Sequence, residues 1–234
     1  MPRTEKDASS HGYTKISDCG DNPKFLGKRY MKNGDTAVIL IYGVNGYIVG
    51  IQCGLLTSKL AQGHPTSFLA GHPYIEDGDK QYLTAYFINP ASICTTGRNA
   101  TEVRQDGTGY DLYIQNGTDP VRNSVLIPHS EADVGRTMWT KGRCFPSMGM
   151  HYWYNTRQDM SCDDFFPVFL LYNGGKLNAF GWAINADLSS PHLEHPPTST
   201  FTAFMDPVPS CLYNAGPLAT LHIYLTGKPA LDLC

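Results

Sequence analysis

Two histidines of this chain lie in short segments with the residue pattern of β-strands. His151 follows Met150 and precedes a run of aromatic residues, and His222 stands between Thr220 and Tyr224. Successive side chains of a strand point to opposite faces, so His222 shares its face with that hydroxyl and that phenol, away from the apolar face. Imidazole is the commonest metal-ligating side chain, and strand-borne imidazoles that converge on one ion would suit copper or zinc. The sequence therefore predicts His151 and His222 as metal ligands; the alternative is that each is an ordinary hydrogen-bonded residue of a sheet.

Aromatic side chains are concentrated next to the first of these histidines. Tyr152, Trp153 and Tyr154 are consecutive, and Trp182 lies in a later predicted strand. Aromatic rings line many apolar and sugar-binding clefts. These four residues predict a cleft for a small molecule or a glycan, and the alternative is the aromatic-rich interior of an ordinary sheet.

No complete catalytic set accompanies these residues. The sequence has no Gly-x-Ser-x-Gly motif and no glycine-rich loop that opens a helix. Asp163 and Asp164 are adjacent, but no loop of alternating acids follows, so a charged turn before a buried strand is the preferred interpretation. Whether the protein is an enzyme is left open at this stage.

The cysteines predict disulfides rather than a metal site. The seven are Cys19, Cys53, Cys94, Cys144, Cys162, Cys211 and Cys234. They are dispersed without a Cys-x-x-Cys pair, which is atypical of structural zinc sites and typical of a disulfide-stabilised protein of an oxidising compartment. Three disulfides and one unpaired cysteine are expected, and the unpaired one is assigned to Cys234, either free or linking two chains in a dimer. The alternative is seven reduced, buried cysteines.

Composition and charge exclude several classes of protein. The net charge is −3 and no basic run is present, so nucleic-acid binding is not expected, and no apolar stretch is long enough to span a membrane. The sequons at Asn99 and Asn116 predict glycosylation. Together with the cysteines they predict an extracellular, secreted glycoprotein, although the segment 1–7 is polar and has no signal-peptide core.

Short strands joined by tight turns explain the abundance of glycine and proline, 23 and 16 residues. Asn45-Gly46 lies between two apolar β-branched runs, and the segment 173–175 (Asn-Gly-Gly) lies between two more, as in β-hairpins. About ten strands are predicted, including Phe201–Met205. The expected fold is all-β, an antiparallel sandwich or jelly roll with very little helix, with a polar lead-in over 1–35 and a single β-sandwich domain over 36–234.

The carboxy-terminal half resembles a known family in the order of its motifs. Met150-His151-Tyr152-Trp153, Cys162, the segment 180–184 (Phe-Gly-Trp-Ala-Ile) and the segment 221–224 (Leu-His-Ile-Tyr) follow one another. This order resembles a jelly-roll domain of the copper type II, ascorbate-dependent monooxygenases. The resemblance implies His151 and His222 as copper ligands, and disulfides that involve Cys144 and Cys162. The chain differs from the family in having no histidine adjacent to His151 and a tyrosine at position 224.

Three functions follow from these patterns. The first is a secreted, disulfide-stabilised β-sandwich that binds a small molecule or glycan through its aromatic cleft. The second is a mononuclear copper protein with monooxygenase-like oxidoreductase activity. The third is a structural or storage protein of extracellular fluid.

Overall fold

Antiparallel β-sheet dominates the fold. The computed structural model describes residues 1–225 and 233–234, and within them 13 strands form two antiparallel sheets. The predicted all-β, antiparallel fold class is confirmed. The described α-helices are α1 (Glu5–Ser10), α2 (Thr57–Leu60), α3 (Ala100–Asp106) and α4 (Glu131–Val134). Short 3₁₀ helices cover Thr66–Gly71, Pro90–Ser92, Cys162–Asp164, Thr198–Ala203 and Ser210–Tyr213. No helix in the described part of the chain is long and apolar enough to cross a membrane.

The first of two compact units comprises Met1–Leu56 and Pro73–Ile127. Its strands are β1 (Tyr13–Ser17), β2 (Lys28–Lys32), β3 (Asp35–Tyr42), β4 (Ile48–Leu56), β5 (Ile75–Asp77), β6 (Lys80–Tyr86), β7 (Tyr113–Gln115) and β8 (Ser124–Leu126). They form one sheet in the order β1-β2-β3-β4-β6-β7-β8, with β5 paired to β6. The hairpin predicted at Asn45-Gly46 is confirmed, since β3 and β4 pair across it. Residues 1–35 supply α1, β1 and β2 to this unit, which differs from the predicted lead-in and single domain.

The two predicted glycosylation sites also lie in this unit. Asn99 caps α3, and its side-chain oxygen accepts hydrogen bonds from the backbone amides of Thr101 (2.9 Å) and Glu102 (3.1 Å). Asn116 directly follows β7, and both asparagines are exposed. Both positions are open to modification, and glycosylation stays a prediction.

The second unit comprises Thr57–His72 and Pro128–Cys234. Its strands are β9 (Trp139–Phe145), β10 (Gly149–Tyr154), β11 (Val168–Asn173), β12 (Lys176–Ile184) and β13 (Ala219–Tyr224), in the sheet order β13-β12-β11-β10-β9. The predicted hairpin between β11 and β12 is confirmed. Its turn contains Gly174 and Gly175 with φ of 56° and 77°, a left-handed conformation that glycine adopts without a steric penalty.

The strand predicted over Phe201–Met205 is wrong. Phe201 lies in the 3₁₀ helix Thr198–Ala203, which begins after two prolines. The Thr200 hydroxyl donates a hydrogen bond to the Pro197 carbonyl over 2.7 Å, and this local bond favours a turn over an extended chain.

One face of the five-stranded sheet is covered by the irregular segments of the same unit. Phe165, Phe201 and Met205 from these segments pack on Trp153 and Phe169 of the sheet, and all five side chains are buried. From the sequence, only the face of β13 opposite to His222 was expected to face the core. The face that carries His151 and His222 is therefore interior, which corrects the expectation that His222 points away from the core.

The three predicted disulfides are present within the chain. They join Cys19 to Cys94, Cys144 to Cys234, and Cys162 to Cys211. The disulfides expected at Cys144 and Cys162 are thus confirmed.

The assignment of Cys234 as the unpaired cysteine is wrong, because it is bonded to Cys144 and has no thiol left for a disulfide-linked dimer. The free thiol is that of Cys53 in the middle of β4, where burial raises its pKa to about 12. A position at the end of the sequence does not show which cysteine it meets in space.

Candidate functional site

The register of the second sheet brings the two predicted metal ligands to the same face. Trp153 of β10 pairs with Phe169 of β11, Phe169 with Gly181 of β12, and Gly181 with His222 of β13. His151 lies two residues before Trp153 on β10, so its side chain points to the same side of the sheet.

The ring of Phe169 lies between the two imidazoles. Its centroid is 5.8 Å from that of His151 and 5.0 Å from that of His222. The ring packs directly over the backbone of Gly181, where a Cβ atom would stand 2.6 Å from Cε1 of Phe169. Glycine at this position therefore allows a phenyl ring to lie flat on the sheet.

A cavity of about 230 Å³ opens over this face of the second unit. Its walls include the rings of Trp153, Phe169 and Phe204, together with the imidazoles of His151 and His222. Further lining comes from Phe145, Met148, Glu194, Pro196, Pro197, Thr200 and Thr220. Most of this surface is apolar, as in typical binding sites for small molecules.

His151 is buried and uncharged in this cavity. The residue is 2% exposed. Its Nδ1 lies 3.1 Å from the carbonyl oxygen of Arg143. A carbonyl only accepts hydrogen bonds, so Nδ1 carries the proton and Nε2 keeps its lone pair. Burial, reinforced by the nearby His222, lowers the pKa of His151 to about 4.

His222 faces a carboxylate. Its Nδ1 lies 3.1 Å from Oε2 of Glu194, a distance suited to an ion pair, although the N–H bond is not aligned for a hydrogen bond. The imidazole lowers the pKa of Glu194, which keeps that group ionised. Glu194 is held beside β13 by two backbone hydrogen bonds of 2.8 Å with Thr220, and 62% of its side chain remains exposed.

The four aromatic residues predicted to form one cleft do not come together. Trp153 lines the cavity, but Tyr152 points to the other face of the sheet, where its hydroxyl donates a hydrogen bond to Glu131 over 2.9 Å. Trp182 is fully buried on that other face. Tyr154 lines a separate, more polar groove of the second unit. Alternation along β10 puts Trp153 and Tyr152 on opposite faces of the sheet, so these two consecutive residues cannot line one cleft.

Several residues of the cavity were not identified as site residues from the sequence. Phe169 was not singled out from the sequence, and Phe204 lay in the predicted strand Phe201–Met205, where the structure has a 3₁₀ helix that ends at Ala203. Thr220 was noted only as a neighbour of His222 on its face. Glu194 lies in a loop rich in proline and histidine, with no pattern that indicates its position. Gly181 was the one feature of the sequence that could have indicated this site. A glycine in the interior of an apolar strand often marks a place where another group approaches the backbone closely.

The donor set does not form a three-ligand metal centre. Within residues 1–225 and 233–234, no group of three or more His, Cys, Asp or Glu side chains is close enough to hold a metal ion. His151 and His222 share one cavity, but the third ligand of a typical copper or zinc centre is not grouped with them. Metal ligation by these two histidines stays a prediction.

Comparison with known proteins finds no matching family model, no matching curated protein and no matching solved structure. The functional argument therefore depends on the geometry of the cavity.

Proposed function

We propose that the second unit binds a small, mainly apolar molecule in the cavity lined by Trp153, Phe169 and Phe204. The observation that carries this proposal is a mainly apolar cavity of about 230 Å³ with several aromatic rings in its walls. A dry apolar cavity of about 150 Å³ is enough to bind benzene in another protein. A space of this size therefore accommodates a ligand of one ring with small substituents.

An apolar molecule fits this cavity better than a glycan. A sugar would place many hydroxyl groups against aromatic walls, and each hydroxyl without a hydrogen-bond partner would weaken binding. Of the two ligand classes predicted from the sequence, the small molecule is the one that the lining favours.

Calorimetric titration with toluene tests the proposal. Thr200 lines the cavity and is partly buried, so Thr200→Phe should fill part of the space and weaken toluene binding at least tenfold. Thr198→Phe is the matched control, because Thr198 is exposed in the same 3₁₀ helix and does not line the cavity. Absence of toluene binding to the unmodified protein, or equal weakening by both substitutions, would contradict the proposal.

A second candidate is a mononuclear copper protein with oxidoreductase activity. It is favoured by one observation, the presence of His151 and His222 in the same cavity. Nε2 of His151 and the imidazole of His222 would be the ligands, and a bound copper would supply oxygen chemistry. Elemental analysis of protein purified without chelator decides the matter: near-stoichiometric copper, lost in His151→Ala, supports this function, and copper-free protein refutes it.

An extracellular location accompanies either function. Three intrachain disulfides require an oxidising environment to form and persist. Intact-mass measurement of the natural protein, with and without reductant, should show a gain of six hydrogens on reduction. Glycans at Asn99 and Asn116 would appear in the same spectra.

A further inference from the structure

We propose that the polar groove of the second unit binds a neutral carbohydrate. This groove is the one that Tyr154 lines, and it is distinct from the apolar cavity over His151 and His222. Its walls come from the segments 67–72 and 154–166, which belong to the same unit. The inference goes beyond the proposed function, because it concerns a different class of ligand at a different place.

The size and surface of the polar groove suit a sugar. Its volume is about 540 Å³, more than twice that of the apolar cavity. Binding sites for small molecules typically have volumes of about 300 to 1,000 Å³. Polar and apolar groups contribute to the surface of the groove in similar measure, whereas the apolar cavity has little polar surface. A sugar ring has the same mixed character, because hydroxyl groups surround a ring whose faces carry C–H groups.

Two aromatic rings form an apolar wall of the groove. Tyr154 and Phe166 are half-buried, and their ring centroids are 4.8 Å apart. Trp139, which is 8% exposed, packs on both rings with centroid distances of 5.3 Å and 6.1 Å. The C–H groups of a sugar pack favourably on the electron-rich face of an aromatic ring. Because Trp139 holds the two rings in place, a sugar would not have to order them on binding.

The polar wall carries charges of both signs. Among the described residues that line the groove, Arg157 is the cation, and Asp163 and Asp164 are the carboxylates. Oδ1 of Asp163 lies 2.9 Å from Nδ1 of His64, and the carbonyl of Asp163 accepts a hydrogen bond of 2.6 Å from Nε2 of His72. Arg157 and Asp164 are exposed, so a ligand in the groove would meet these two opposite charges.

A neutral ligand with several hydroxyl groups matches this pair of charges. A hydroxyl can accept a hydrogen bond from the Arg157 guanidinium and donate one to the Asp164 carboxylate. The guanidinium has five N–H donors, and one of them bonds to the carbonyl of Asn155 over 3.3 Å. An anion would be attracted by Arg157 but repelled by Asp164, and a cation would meet the reverse. Burial lowers the pKa of His72, so this ring adds no positive charge at neutral pH.

Binding to immobilised oligosaccharides tests this inference. The panel ends in glucose, galactose, mannose, xylose, fucose, N-acetylglucosamine and N-acetylgalactosamine, and the protein should bind at least one of them. Arg157→Ala and Asp164→Ala should each weaken the tightest of these interactions at least about tenfold, the value of a hydrogen bond to a charged group. Both side chains are exposed, so urea denaturation should show both variants to be as stable as the unmodified protein.

Arg136→Ala is the matched control for the loss of positive charge. Arg136 is an exposed arginine of the same unit that does not line the groove. Its substitution should leave the affinity for the same sugar within about threefold of the unmodified protein. Equal weakening by Arg136→Ala and Arg157→Ala would contradict a role of the groove.

A measurement on the unmodified protein locates the bound sugar. The methyl glycoside of the sugar that binds most tightly should shift the ¹⁵N resonance of Arg157 Nε. Absence of binding to the whole panel, or an unshifted Arg157 resonance at saturation, overturns this inference. Tighter binding of free phenylalanine than of every sugar also overturns it, because the groove would then select a zwitterion. Toluene tests the proposed function at the other cavity, so the two proposals can fail independently.

Discussion

Gly181 has the tightest packing of the candidate site, and Gly181→Ala is the most direct test of its geometry. An added Cβ would stand 2.6 Å from Cε1 of Phe169 and closer still to Cζ of the same ring and to the carbonyl oxygen of Leu221. The phenyl ring can rotate away, but the Leu221 carbonyl belongs to β13, which is paired with β12. Overpacking of a core typically costs about 1 to 3 kcal/mol, and the backbone contact places this substitution near about 3 kcal/mol.

Tryptophan fluorescence during urea denaturation measures this cost in the right part of the chain. All three tryptophans, Trp139, Trp153 and Trp182, belong to the second unit. Gly71→Ala is the matched control, since a Cβ at Gly71 would meet nothing within 4 Å. The control should stay within about 0.5 kcal/mol of the unmodified protein, as ordinary surface substitutions do.

Gly181→Ala should also weaken toluene binding, because a displaced Phe169 ring enters the cavity that it lines. A variant with unchanged stability and unchanged toluene affinity would refute the described packing of Phe169 on the sheet.

Three further predictions concern protons and sulfur. Burial lowers the pKa of His151 from 6.5 to about 4. Between these pH values the ring binds a proton in the unfolded protein but not in the folded protein. The free energy of unfolding should therefore be highest above pH 6.5 and fall by about 3 kcal/mol on acidification to pH 4. Urea denaturation of His151→Phe should show a smaller decrease in the free energy of unfolding across this pH range. If the variant and the unmodified protein lose stability in parallel, the imidazole is not buried and neutral. Replacing both Cys162 and Cys211 by serine should cost about 4 kcal/mol, because their disulfide spans 49 residues of chain, and a loss under 1 kcal/mol would exclude this pairing. Thiol titration with Ellman's reagent should detect no thiol in the folded protein, one in guanidinium and seven after reduction, since Cys53 is buried and free; a reactive thiol in the folded state would be inconsistent with that burial.

The fold class was predictable because hairpin turns are local. Asn45-Gly46 and the paired glycines at 174 and 175 indicate their turns from adjacent residues alone, and both turns are present. The predicted strand at Phe201 failed because a pair of preceding prolines and a hydroxyl–carbonyl bond at Thr200 outweighed the apolar composition.

The site was predictable only in part because it depends on contacts between distant segments. Alternation along β13 places His222 beside Thr220 correctly, yet it does not show that loops of the same unit cover that face. The partners of the two histidines, the Arg143 carbonyl and Glu194, lie 8 and 28 positions away in sequence, and no residue pattern marks them. Cys234 was misassigned for the same reason.

The segment Thr57–His72 has a consequence for how this protein is made and dissected. It is synthesised between two parts of the first unit, but it belongs to the second, where His64 and His72 contact Asp163 over 2.9 Å and 2.6 Å. During translation this stretch must wait for its partner until roughly a hundred more residues have been added. An expressed fragment that starts at Pro128 would lack His64 and His72. Neither unit is therefore obtained whole by dividing the gene at a single point.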